Sequence, residues 1–350
     1  MRRGLMGWTE ADLPLAALKQ RQSRLQAALK SKGLGGLIVY TNIARPAAAT
    51  FLTGFTPYWS EGLLFLPAAG DPVFATALSK RVGEWIRSVM PVGTIENTPQ
   101  PAAVIRRKLT EAGVAKFGVL ELDLLPSAQA AALAGNDNAI ALEDASALFR
   151  SIRLHVDDAE IELVRRADAV ARDCLDAIDG SGDARQMVAR IEARARLAGA
   201  EEVFVGVNPD LGHANAFLRS DRLDGALGAH FAVRLSLALK GAWVRRAMTR
   251  TRMAAQQPAF TAADQSFQHA LKSGSAKAAL KALQDGFPGK ITAWTVEASV
   301  GSYPLETIVR SSEDPLSSDI PPVSVVSARA EVSGNPWYGA GPVIGEAQAS

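Results

Sequence analysis

The sequence predicts an α/β domain followed by an α+β domain, each with its own core. Three observations predict it. The 350 residues exceed what one hydrophobic core usually organises, since single cores stop growing near roughly 250 to 300 residues. Positions 1–150 alternate helical apolar spacing with short apolar runs bounded by Gly, Pro, Asn and Asp, the pattern of α/β layering. Positions 151–350 open with two helical stretches that give way to alternating strands.

Leu15, Leu18, Leu25 and Leu29 recur at helical spacing up to Gly33, a good helix stop. Gly36–Tyr40, Gly62–Pro67 and Pro72–Ala75 are short apolar runs and read as strands. A helix around Ala102 to Ala112 and a strand over Lys116–Leu120 complete the first domain. The second begins after Leu142–Ile152 with Asp157-Asp158-Ala159-Glu160, an acidic helix start. Ile161, Val164, Ala167, Ala171, Leu175 and Ile178 mark one long apolar face. Gly180-Ser181-Gly182-Asp183 breaks that helix, and Met187, Ile191 and Arg194 continue a second one to Gly199. His230–Leu237 and Ala242–Thr249 alternate as strands, with Lys240-Gly241 as a two-residue hairpin turn. Ser311 to Pro322 is polar, contains proline and reads as a loop.

With 48% apolar and 21% charged residues, the composition is that of a globular protein, not a disordered or membrane one. Its 38 basic and 36 acidic residues nearly cancel, so no nucleic-acid or membrane-surface partner is expected. The single cysteine, Cys174, can form neither an intramolecular disulfide nor a thiolate zinc site, and is expected to be a packing residue. Arg2 and Arg3 are not followed by the apolar run of a signal peptide. No stretch reaches the ~18 apolar residues of a transmembrane helix, and a cytoplasmic protein is expected.

Several strings resemble the creatinase, aminopeptidase P and prolidase superfamily. Arg24-Leu25 through Tyr40-Thr41-Asn42, then Phe51-Leu52-Thr53-Gly54-Phe55, is similar to its amino-terminal domain. Phe149–Arg153 with Ala159–Ala167 is similar to the opening of its pita-bread catalytic domain. Gly212-His213-Ala214-Asn215 with Ser220-Asp221-Arg222-Leu223 is similar to the string before its first metal-bearing strand. The resemblance implies a creatinase-like α/β domain over 1–150, a pita-bread α+β domain over 151–350, and a homodimer.

The family's dinuclear site needs two aspartates, a histidine and two glutamates, because hard cations want bridging carboxylates. This sequence departs from that set. Arg234 and Arg245, eleven apart, stand where the resemblance puts the two aspartates. The family's histidine corresponds to the stretch Trp294 to Tyr303, yet the last histidine of the chain is His269. No metal and no cofactor are therefore expected. The resemblance leaves two functions open. One is a non-peptidase pseudoenzyme whose cationic cavity takes a small anionic or amide-type ligand on Arg234 and Arg245. The other is a metal-independent, creatinase-like hydrolase of a small C–N compound, an amidinohydrolase using His213 as acid and base. The second needs a carboxylate beside His213, with Glu297, Glu306, Glu331 and Glu346 as candidates.

Between Arg219 and Arg252 eight basic side chains stand against Asp221 and Asp224, and for most of them a solvated strand face is expected. Arg234 and Arg245 differ by strand parity. A turn at Lys240-Gly241 sets Arg234 opposite Ala247 and Ser236 opposite Arg245, so both arginines leave the same side of the sheet. Two guanidinium groups so placed cannot shed charge. Something negative must face them, either an internal carboxylate or a bound anion.

Overall fold

The chain forms two compact units that divide between Leu154 and His155. The structure is a computed structural model and describes residues 7–57, 61–135, 140–178, 183–213, 216–299, 307–311, 320 and 322–346.

The amino-terminal unit runs α1 (Leu15–Ser31), β1 (Gly36–Thr41), α2 (Ala47–Thr53), β2 (Gly62–Pro67), β3 (Val73–Thr76), α3 (Lys80–Val89), β4 (Thr94–Asn97), α4 (Pro101–Glu111), β5 (Lys116–Leu120), α5 (Ser127–Ala134), β6 (Ala141–Asp144) and α6 (Ser146–Arg153). Its six strands form one mixed sheet in the order β4-β3-β2-β1-β5-β6. Helices cover both faces, which is why β1 reads as an unbroken apolar run and not as an alternation. Leu37 and Val39 join Leu25, Leu29 and Phe149 on one side. Ile38 joins Ile105, Leu109 and Phe117 on the other.

The carboxy-terminal unit runs α7 (Asp158–Asp176), α8 (Ala184–Leu197), β7 (Glu202–Asn208), β8 (His230–Leu239), β9 (Ala242–Thr251), α9 (Gln257–Leu271), α10 (Ala276–Gly286), β10 (Lys290–Ser299), β11 (Thr307–Ser311), β12 (Val323–Val332) and β13 (Asn335–Ile344). Asp157 caps α7 by accepting the Glu160 N–H at 2.9 Å, and Asp183 caps α8 by accepting from Arg185 and Gln186. Cys174 is buried on α7, where burial pushes its thiol up to about 11, consistent with packing and not with reactivity. The seven strands order as β11-β10-β12-β13-β9-β8-β7. Most of the loop expected over Ser311 to Pro322 lies outside the described residues. No helix among the described residues is long and apolar enough to cross a membrane.

The β8–β9 hairpin has the register its turn predicts, with Arg234 opposite Ala247 and Ser236 opposite Arg245. Lys240 (φ 53°) and Gly241 (φ 80°) are both left-handed, as a two-residue turn matched to strand twist requires. A carboxylate stabilises the bend. Glu201, buried, accepts the Lys240 N–H at 2.9 Å and the Gly241 N–H at 2.5 Å, and burial raises its own pKa.

The two halves of the sheet meet where β9 pairs with β13 through Ala247 and Ala340. Beside that pair a side chain replaces the ladder. The Thr249 hydroxyl donates to the Tyr338 carbonyl at 2.9 Å and accepts the Tyr338 N–H at 2.8 Å. Thr249→Val keeps the shape and orphans both groups, so it is expected to cost about 1–3 kcal/mol in urea denaturation. A change within error would show that other partners satisfy Tyr338.

Candidate functional site

Strand register sorts the seven-stranded sheet into two faces. One is apolar and carries the helices: Val326, Ala328 and Val343 pack with Phe260, Phe267 and Leu280. The other carries both arginines. Along it, Gly206, Arg234, Ala247, Ala340, Ser327 and Thr295 form one transverse row. Two residues further along, the next row holds Phe204, Ser236 and Arg245, then Pro342, Val325 and Glu297.

Arg245 Nη1 donates to Glu297 Oε2 at 2.5 Å, and its Nε donates to Ser236 Oγ at 3.2 Å. β9 and β10 are three strand spacings apart, about 14 Å in a flat sheet. Side chains leave a flat sheet nearly at right angles, so the two meet because the sheet curves with this face inside. Arg234 is treated differently. Its guanidinium lies 4.7 Å from the centroid of the Phe217 ring, a cation–π contact. Burial pushes its pKa down, Arg245 adds to that, and the Tyr338 hydroxyl and Glu297 oppose it. Among the described residues no carboxylate forms an ion pair with Arg234.

The row around Arg234 is built of small side chains, which keeps space above the sheet. At Gly206 an added Cβ would sit 3.1 Å from Phe217 and press on its side chain. The Ser327 hydroxyl is buried and has no hydrogen-bond partner among the described residues. In the adjoining row Asn208, Tyr338 and Arg329 line a cavity of about 260 Å³ together with Phe217.

His213 lies in the loop after β7 with its side chain 86% exposed, and its Nδ1 is 2.8 Å from Asp210 Oδ2. Asp210 also accepts the Gly212 N–H at 2.9 Å. Partial burial works to raise the Asp210 carboxyl, but the Gly212 N–H and His213 prevail and hold it below its ordinary value. The carboxylate beside His213 is thus its near neighbour in sequence. Of the four glutamates expected there, Glu297 pairs with Arg245, Glu331 and Glu346 are exposed, and Glu306 lies outside the described residues.

The eight basic residues do not share one solvated face. Arg246 points to the helix side and is buried at 7% exposure, where it pairs with Asp168 of α7. Sequence reasoning missed this pair because its acid is 78 residues away on a different element.

The described residues of the inner face do not assemble a dinuclear ligand set. Among the described residues no three His, Cys, Asp or Glu side chains converge as a ligand group, and Glu297 is already held by Arg245. A dication about 5 Å from a guanidinium charge would be repelled by on the order of 5 kcal/mol at an effective dielectric near 20.

The two-unit architecture, a mixed α/β sheet followed by a curved sheet with helices on its outer face, is that of the prolidase fold. Residues 21–155 match the creatinase/prolidase N-terminal domain family. A Xaa-Pro dipeptidase from Bacillus anthracis is similar over 94% of this chain and 95% of its own, at 16% identity and a TM-score of 0.63. An X-Pro aminopeptidase from Thermotoga maritima aligns over 91% and 95% at 11% identity and TM-score 0.64. The prolidase from Pyrococcus horikoshii aligns over 95% and 97% at 12% identity and TM-score 0.63. No curated protein sequence is significantly similar to the chain. The family match thus covers the amino-terminal domain, residues 21–155, and the likeness of the whole chain to these structures is one of fold.

Proposed function

We propose that this chain is a non-peptidase member of the superfamily that holds a small carboxylate or similar anion on Arg234, on the inner face of the curved sheet. One observation carries the reading. Arg245 is neutralised by Glu297, whereas among the described residues Arg234 has an aromatic ring and a phenol beside it but no ion pair with a carboxylate. A desolvated guanidinium with free donors recruits an anion, and forked hydrogen bonds to a carboxylate suit it best. The small-residue row and the Ser327 hydroxyl supply room and a further donor.

Two measurements test this. Elemental analysis of the purified protein is expected to find no stoichiometric divalent metal, and manganese, cobalt or zinc should not induce cleavage of a prolyl dipeptide. Metal-dependent cleavage would overturn the reading. Calorimetric titration with acetate and short carboxylates is expected to show binding that Arg234→Ala weakens by about tenfold or more.

The Asp210–His213 contact favours one other reading, a metal-independent hydrolase in which Asp210 orients the imidazole for proton transfer. His213→Ala separates the two. It leaves anion binding intact in the first reading and abolishes any amidohydrolase turnover in the second.

A further inference from the structure

On the helix side of the same sheet, α7 and α9 do not close on each other. Two helices on one sheet ordinarily pack their flanks at 8–10 Å, but here a groove of about 910 Å³ separates them. The sequence builds this gap. Both helices spend their apolar residues on the sheet, Val164, Ala167 and Ala171 from α7 and Phe260, Ala263 and Phe267 from α9, all buried. Their facing sides are polar. α7 presents Arg165, Asp168, Arg172 and Asp176, which share one helical face over three turns, roughly 16 Å of axis. α9 answers with Thr261, Asp264, Gln265 and Gln268.

The helices run antiparallel across the groove, and this gives it a direction. Arg246 on the floor joins Asp168 to Gln268, while Asp176 acts on Asp264 further along. Arg165 and Lys272 therefore flank one end and Asp176 and Asp264 the other. The first end is cationic. Asp168 is shared between Arg246 and Arg172, and of the five N–H groups of a guanidinium the Arg246 contacts use three. Among the described residues Arg165 has only an exposed 3.9 Å contact with Glu162, and Lys272 has no ion pair. The second end carries Asp176 and Asp264, and of the two only Asp264 has an ion pair among the described residues, with Arg250 at 3.6 Å.

We propose that this groove is a second ligand site, distinct from the inner face, and that it takes an extended zwitterion. The anionic group sits at the Arg165, Arg246 and Lys272 end, and a protonated amine sits between Asp176 and Asp264. The ~16 Å span corresponds to an extended peptide of four to five residues held by its two termini, or to a linear amino acid of that length.

Asp264 adds a pH signature. Burial pushes its carboxyl up to about 6, with the Trp337 N–H and Arg250 working against that and Asp176 with it. The other titratable or charged groups lining that part of the groove include Arg172 on α7, Arg246 on β9 and His269 on α9. α10, packed on α9, keeps Lys281 and Asp285 paired to each other at 2.7 Å. An ammonium group gains a second counter-charge, beside Asp176, when Asp264 ionises, so affinity rises as pH rises from 5 to 7.

Calorimetry on the full chain tests the proposal with tetra-alanine, its N-acetylated form, its C-terminal amide and 12-aminododecanoate. Tetra-alanine is expected to bind, each blocked form about tenfold or more weaker. Asp264→Asn should remove the rise with pH, and Lys272→Glu should weaken binding by a similar factor. Equal binding of tetra-alanine and 12-aminododecanoate assigns recognition to the two charges; weaker binding of the latter assigns part of it to the peptide groups. Blocked and unblocked peptides binding alike, or no binding of either zwitterion at about 10 mM, would overturn it. So would binding that survives Lys272→Glu but vanishes in Arg234→Ala, which would put the peptide on the inner face.

Discussion

Replacing Arg246 by methionine is expected to cost about 3–5 kcal/mol of stability. The reason lies in what remains. Asp168 is 6% exposed and takes two N–H groups from Arg246, one of them at 2.9 Å. Without Arg246 its charge faces only Arg172, whose Nε is 3.3 Å away on a half-exposed side chain. Gln268 also loses the donor that reaches it at 2.5 Å. The pair as a whole adds far less than either half removes, because desolvating two charges consumes most of their attraction. Asp168→Leu combined with Arg246→Met is therefore expected to be clearly more stable than Arg246→Met alone, measured by urea denaturation as a double-mutant cycle. Simple additivity would mean that the two side chains are not coupled, and would refute this account of the outer face.

Local rules made some of this structure legible in the sequence and left other parts hidden. The hairpin was readable to the residue, because a two-residue turn fixes every later pairing and parity fixes every face. That placed Arg234 and Arg245 together before any coordinates were needed. The later strands were not readable. β13 contains Pro336, Gly339, Gly341 and Pro342, residues that argue against a central strand. Packing explains the glycines: a Cβ on Gly339 would lie 2.3 Å from Trp337, and one on Gly341 would lie 2.4 Å from Leu271 of α9. β12 mixes Val with Ser, Ala and Arg, because Ser327 keeps the inner row beside Arg234 small while Ala328 and Ala330 fit beneath the helices on the other face. Small residues that leave space above a sheet also erase the hydrophobic period by which a strand is recognised. Glu297 could be named as a candidate from sequence, but its partner could not, since the contact depends on curvature accumulated over four strands. The polar groove between α7 and α9 was missed for a related reason: α7 alone reads as an ordinary amphipathic helix with a solvated side, and nothing in its own sequence says that α9 (Gln257–Leu271) faces it.

Asp264→Asn is expected to stabilise the protein at pH 7 and to leave it unchanged below about pH 4. The carboxyl moves from 3.8 to about 6 on folding, burial being the main cause. Between those values the native state keeps a proton that the unfolded state has lost, so stability falls as pH rises through the window and the loss is complete above pH 6. For a side chain that is 26% exposed, the loss is on the order of 2 kcal/mol. Asparagine carries no charge to bury and still offers an oxygen to the Trp337 N–H, which donates to Asp264 at 2.9 Å. Thermal or urea unfolding at pH 4 and pH 7 checks both limbs. A variant no more stable than the parent at pH 7, or equally stabilised at both pH values, would show that Asp264 is not the group that titrates. The sign of this effect bears on the groove. A carboxylate that only packed would be cheaper as an amide, and a residue that lowers stability at neutral pH is what a binding function retains against it. The same substitution that firms the fold is the one expected to flatten zwitterion binding between pH 5 and 7. Stability and affinity should therefore move in opposite directions in a single variant.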